Sequence, residues 1–191
     1  MILLLTVISC SNLRDRDTVE IIDPIEFLSF VLTDTIDLNL VPEGYKIISD
    51  ISILPPPVMP AGKFSDFLIT ILTETDTLFI KDQLKQTNNF RTNKLEEHDF
   101  TIIKISEIPP ETGIDWDYIS DNYGEGIMTV DRPIFNKSYT KAYIRVGYLC
   151  GLHCGSGKEL ILEKIGDKWS IKEITGTWIA LKQIKPMHNM V

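Results

Sequence analysis

The chain has 191 residues, the length of one ordinary domain, and 43% of them are hydrophobic against 24% charged. That balance supplies a core and excludes disorder of the whole chain. With 27 acidic residues against 19 basic ones and a net charge of −8, it lacks the basic face that a phosphate-gripping nucleic-acid binder needs. The acidity is read as a solubility feature.

Met1 to Ser9 carry no charge and are almost all apolar, too short a run to span a bilayer as a helix, which takes about 20 residues. Cys10 follows, and then the polar run Ser11-Asn12-Leu13-Arg14-Asp15-Arg16-Asp17. So abrupt a switch reads as a secretory apolar stretch ending at a cleavage site. Val7-Ile8-Ser9-Cys10 resembles the lipobox of bacterial lipoproteins, in which a small residue precedes a cysteine that becomes the lipidated first residue of the mature chain. The resemblance implies a partial signal peptide over 1–9 and lipidation at Cys10; the polar run then reads as a tether over 10–20, and the length leaves a single domain over 21–185. The alternative is a buried N-terminal strand with a core cysteine.

Asp23-Pro24-Ile25-Glu26 is a helix start: a capping carboxylate, proline at the first helical position, and a glutamate that closes a capping box. Ile21, Ile25, Leu28, Leu32 and Ile36 recur at helical spacing, predicting a helix over 24–37 that Asn39 and Pro42-Glu43-Gly44 end. Tyr45 to Leu54 reads as a strand or extended arm. Pro55-Pro56-Pro57, Pro60 and Gly62 mark a surface loop. Phe67 to Leu72 is apolar and β-prone, and is read as a strand. Thr73 or Thr75 caps a second helix over 75–86, whose buried side is Leu78, Phe79, Ile80 and Leu84. Residues 87–99 form a polar loop, Phe100 to Ile105 a strand, Pro109-Pro110 and Gly113 a break, and Asp115 to Ile119 one helical turn.

The last third reads as an antiparallel meander of four strands. Ile127 to Phe135 is the first, with Pro133 placing its end at an edge or bulge. After the turn Asn136-Lys137-Ser138-Tyr139-Thr140 comes Ala142 to Leu149, with Ala142, Ile144, Val146 and Tyr148 on one face. Leu160 to Ile165, the tight turn Gly166-Asp167, and Lys168 to Ile174 with Trp169 and Ile171 on one face follow. Thr177 to Leu181 continues past a kink at Gly176.

Arg132-Pro133-Ile134-Phe135-Asn136-Lys137, Cys150-Gly151-Leu152-His153-Cys154-Gly155, Gly166-Asp167-Lys168-Trp169 and Thr177-Trp178-Ile179-Ala180 stand in an order that resembles a set of uncharacterised lipoproteins of flavobacteria and other Bacteroidetes. The resemblance covers about 116–180 and, more loosely, 23–90. It implies export and a β-meander, and it implies no activity.

Of the three cysteines, lipidation of Cys10 leaves Cys150 and Cys154, an even pair in an oxidising compartment, which points to a disulfide. On an extended strand their Cα atoms would stand about 13 Å apart at ~3.3 Å per residue. A disulfide needs roughly 4.4–6.8 Å. The chain must therefore turn, as Gly151, Gly155 and Gly157 permit. Free or redox-active thiols are a second reading. A metal site is a third: Cys150, His153 and Cys154 offer three ligands, and a fourth would have to come from His98 or His188. No metal is expected.

Gly151 to Lys158 fails as a phosphate loop, because the spacing is one residue too long, Glu159 replaces the magnesium-binding hydroxyl, and a strand follows. Glu96-Glu97-Asp99 and Asp115-Asp117 are read as solvated acids rather than an acid–base pair or a calcium loop. Tyr143, Tyr148, Trp169 and Trp178 fall on the meander as core or as the lining of a concavity. Tyr148, His153 and Trp178 are the candidate ligand-facing residues.

The expected fold is α+β, with N-terminal helices packed on a curved antiparallel meander. Such a sheet resembles the cone-like sheet of the nuclear-transport-factor-2 superfamily by analogy alone. The expected function is that of a non-enzymatic binding or assembly module, lipid-anchored at the cell envelope. Its partner is an envelope protein or a small ligand, with no nucleic acid and no cofactor. The alternative is a small-ligand pocket with hydrolytic or redox chemistry.

Overall fold

The computed structural model describes residues 21–34, 38, 40, 45–55, 57, 59–107, 113–124, 126–151 and 153–180. Cys10 with the leader and tether, Ile36, Asn39, Pro42-Glu43-Gly44, Pro109-Pro110 and His188 lie outside them.

Helix α1 spans Pro24–Thr33, and its N-cap Asp23 accepts from Ile25 N at 2.7 Å and Glu26 N at 3.4 Å. It ends four residues short of the expected 37. The Thr33 hydroxyl turns back onto Ser29 O at 2.7 Å, and Asp34 leaves the helical region with ψ 88. Its buried face is Ile25, Phe27, Leu28, Val31 and Leu32, and the Phe27 ring meets both Phe135 and Trp169 edge-on at 4.9 Å.

The described residues build a seven-stranded mixed sheet. Its antiparallel part is the meander: β3 (Ile127–Val130), β4 (Ile134–Phe135), β5 (Lys141–Gly151), β6 (Cys154–Ile165) and β7 (Lys168–Ala180). The single strand expected over Ile127 to Phe135 is two pieces on the same flank of β5, interrupted at 131–133 around Pro133, which has no N–H to give. The sheet is not wholly antiparallel. β1 (Ile47–Ser49) inserts parallel to both β3 and β2 (Thr101–Ile103), giving the order β2-β1-β3-β5-β6-β7. β1 is shorter than the arm expected over 45–54. Asp50 N still donates to Ile103 O at 2.9 Å, and beyond it side chains take over: Ile53 N donates to Thr129 Oγ1 at 2.9 Å, and the Asp50 carboxylate accepts from Ser106 N at 3.0 Å.

Phe67 to Leu72 is not a strand. It lies in helix α2 (Ala61–Ile71) and its C-cap, where Leu68 and Leu72 fall on one helical face and are fully buried. The apolar run has both periodicities, and the long-range packing decides between them. Pro60 is therefore a helix cap rather than part of an open loop, and Gly62 is inside the helix. Helix α3 (Thr77–Thr87) is capped by Asp76, which accepts from Phe79 N at 3.1 Å, and not by Thr73 or Thr75. Ile80 is buried as expected, whereas Leu78 is 69% exposed. Leu68, Leu72 and Ile80 pack against Ile134, Tyr143 and Ile161 of the sheet.

The expected loop over 87–99 contains a 3-10 helix at Asn93–His98. Helix α4 (Trp116–Tyr123), capped by Asp115, is longer than the single turn expected. It packs Ile119 on Ile103, Ile105 and Ile127.

One further departure lies in the meander: β6 starts at Cys154 rather than Leu160, whereas β7 continues past Gly176 as expected. Register shifts opposite Glu159/Leu160 and Ile161/Leu162 leave Thr175 and Lys172 without opposite residues, so two bulges bend the strand on the approach to the expected kink. Alternation along β5 divides the sheet. Ala142, Ile144 and Val146 face α1 and the larger core, while Tyr143 faces α2 and α3 and Arg145 shares that side.

Candidate functional site

The side of the sheet that carries Arg145 holds a cleft of about 710 Å³ between the strands, α2, α3 and the segment after β1. Its back wall is a buried polar network. Arg145 is 4% exposed; its Nη1 donates to Asp131 Oδ2 at 2.8 Å and its Nη2 to Pro55 O. Glu159 is the cross-strand partner of Arg145, and its Oε1 lies 3.3 Å from Arg145 Nε. That approach is an ion pair without hydrogen-bond alignment, so the Nε proton has no acceptor among the described residues. Tyr143 Oη donates to Glu159 Oε2 at 3.1 Å, and Ser52 Oγ donates to Asp131 Oδ1. Burial, and then the Glu159 charge, drive the Tyr143 phenol above its ordinary range, so it stays protonated.

Arg91 and Arg132 line the same cleft. Each spends one donor on a neighbouring carbonyl, Arg91 Nη1 on Phe90 O at 3.0 Å and Arg132 Nη1 on Pro133 O at 3.3 Å. Neither forms an ion pair among the described residues. Burial lowers the Arg132 guanidinium from its ordinary value, with Tyr139 and Asp23 opposing the shift. The apolar part of the wall comes from Met59, Phe64, Leu84 and Ile134. Phe64 stands edge-on to Tyr143 at 5.6 Å between ring centres.

A second, smaller groove of about 520 Å³ borders β5, β6 and β7 near the Cys150–Cys154 turn. Tyr148 and Trp178, two of the residues singled out from sequence, both line it. Trp178 lies flat on the sheet because Gly157 and Gly147 give it room. A Cβ on Gly147 would come within 2.8 Å of Trp178 Cζ2, and one on Gly157 would collide with the indole. His153, the third, is exposed in the turn and lines neither cavity. Cys150 and Cys154 lie at disulfide distance with Cα atoms 5.0 Å apart, and Gly151 at φ +145 makes the turn. Among the described residues, no cluster of three or more His, Cys, Asp or Glu side chains could hold a metal ion. His98 sits instead beside Glu26 at 3.6 Å. Asp99 pairs with Lys46, and Asp115 serves as the cap of α4.

No family model, curated protein or solved structure matches the chain.

Of the charged and aromatic residues at the cleft and its polar wall, the sequence singled out only Tyr143, as core or as the lining of a concavity. Asp131 and Arg132 lie in the break between β3 and β4, Tyr143 and Arg145 on β5 and Glu159 on β6, and only the pairing of these strands joins them. One signal was available: Arg145 interrupts the apolar run Ala142 to Val146. A charge in a strand buried on both faces requires partners.

Proposed function

We propose that this protein is a small-molecule-binding module and that the 710 Å³ cleft is its binding site. The observation that carries the reading is the cleft's make-up: an apolar wall facing a few converging polar groups, in the size range of small-ligand sites. The network also favours binding over chemistry. Asp131 and Glu159 are both engaged by Arg145, and burial with the Glu159 charge holds the Tyr143 proton firmly, so the phenol is not poised to move it near neutral pH. This reading joins the two functions expected from sequence, a non-enzymatic module whose partner is a small ligand.

The test is a fragment screen of the full chain by NMR, with neutral, cationic and anionic fragments in equal number. Hits should perturb Arg91, Arg132 and Phe64. Hits that gather only at Tyr148 and Trp178 would move the site to the smaller groove.

Envelope attachment through Cys10 belongs to the same proposal and rests on Val7-Ile8-Ser9-Cys10 with the polar run after it. Cys10→Ala should leave the membrane fraction of a lipoprotein-processing host. Retention equal to wild type would end the lipidation reading.

A further inference from the structure

The chain has five arginines and fourteen lysines. Two arginines, Arg14 and Arg16, precede the domain. The other three, Arg91, Arg132 and Arg145, come from the stretch after α3, the break between β3 and β4, and the middle of β5, yet all three line the one cleft. No lysine lines it. In a chain of net charge −8, the lining carries three guanidinium groups against the single carboxylate of Asp131, a surplus of two positive charges before Glu159 behind the wall is counted.

Arginine and lysine are not equivalent here. A guanidinium presents donors in a planar fork that matches a carboxylate or phosphate, and it sheds water more easily than an ammonium. Arg145 is consumed by the wall, apart from its unmatched Nε proton. Arg91 and Arg132 each keep most of their donors and make no close ion pair among the described residues, although the Asp23 carboxylate acts on Arg132 from farther off. The same lining carries Met59, Phe64 and Leu84, which have no use for a bare inorganic ion.

Resting on the cleft as the binding site, we infer that its ligand is an organic anion: a carboxylate or phosphate head held by Arg91 and Arg132, joined to an apolar body that packs on Phe64, Met59 and Leu84. Arg145 is a positioning residue in this arrangement. It holds Asp131 away from the incoming anion and ties Pro55 to the sheet, shaping the rim of the cleft.

The experiment keeps the body constant and changes the head. Octanoate, octyl phosphate, octan-1-ol and octylammonium are titrated into the full chain by calorimetry, with acetate as a head without a body. At least one of the two octyl anions should bind about tenfold or more tightly than the alcohol and the ammonium, as expected for a charge-assisted hydrogen bond gained. Which anion binds better separates a carboxylate from a phosphate ligand. Arg91→Ala with Arg132→Ala should bring that anion down to the level of octan-1-ol. Phe64→Ala should weaken the octyl ligands and leave acetate unchanged. Circular dichroism verifies the fold of both variants.

Octan-1-ol or octylammonium binding as tightly as both anions, and still sensitive to Phe64→Ala, would overturn the anion assignment and leave the cleft as the site. Anion binding indifferent to Arg91, Arg132 and Phe64 alike would overturn both. No binding by any octyl compound at millimolar concentration would overturn the assignment of an anion with an apolar body.

Discussion

Gln83 and Phe135 are joined by both halves of one amide: Gln83 Nε2 donates to Phe135 O at 2.8 Å, and Phe135 N donates to Gln83 Oε1 at 3.0 Å. Gln83, on α3, thus stands in for a neighbouring strand on the flank of β4 that faces away from β5. It is 7% exposed, so water does not readily replace it. Gln83→Leu keeps the volume and strands two buried backbone groups, at a cost of about 2–4 kcal/mol. Urea denaturation measures it, and a change no larger than that of an exposed-glutamine control would show that β4 does not depend on this pairing.

Trp169 lies beside Phe135 in the larger core, 6% exposed and edge-on to Phe27. Trp169→Ala should remove about 3–5 kcal/mol, the cost of emptying a large core site. That is a large share of a domain's stability, so the thermal midpoint should fall by many degrees. A fall matching that of a surface variant would contradict the packing described.

Cys150 and Cys154 close a loop of only five residues, so the chain-entropy model assigns their bond about 2 kcal/mol. The double Cys→Ser variant should fold, with a lower melting temperature and faster amide exchange confined to the turn. Global loss of exchange protection would show that the bond holds more of the sheet than its loop length implies.

Among the described residues, four carboxyls lie below their ordinary values in the folded chain. For Glu74, burial pushes upward, but the backbone N–H groups of Asp76, Lys137 and Thr75 outweigh it. Asp76 is lowered first by the Lys137 side chain, Asp99 by Lys46, and Glu163 by Lys172. Because the folded values are depressed, the unfolded chain binds more protons in acid. The stability these groups supply is present above their ordinary values of 4.5 and 3.8, and it is lost as the pH falls through the folded ones. Denaturation midpoints should therefore drop on going from pH 5 to pH 3, and Lys172→Met should make the drop shallower. An unchanged midpoint across that range would refute the linkage.

Local chemistry in the sequence determined much of the framework. Asp23-Pro24 starts α1 because a capping oxygen and a proline suit a helix end whatever the rest of the chain does. Alternation along Ala142 to Tyr148, the Gly166-Asp167 turn and the Asn136 turn determine the meander. Asn136 Oδ1 accepts from both Thr140 N and Lys141 N at 2.9 Å, a contact within five residues. The turn between Cys150 and Cys154 was equally legible, since covalent geometry requires it of any bonded pair at that spacing.

Only the tertiary structure decided the rest, wherever the deciding partner is distant in the chain. Phe67 to Leu72 became helical because Leu68 and Leu72 meet Ile134, Tyr143 and Ile161, more than sixty positions away. β1 joined the sheet in parallel, a pairing that leaves no local trace because its partners are Thr101–Ile103 and Met128. The cleft is the extreme case. Arg91, Arg132 and Arg145 are separated by 41 and 13 positions, and no periodicity links them. They converge because β5 places Arg145 opposite Glu159, the break at Pro133 turns Arg132 out of the ladder, and the end of α3 brings Arg91 alongside. Long-range register brings side chains together with no regard for their distance along the chain, so the charge pattern of the site exists only in the folded state.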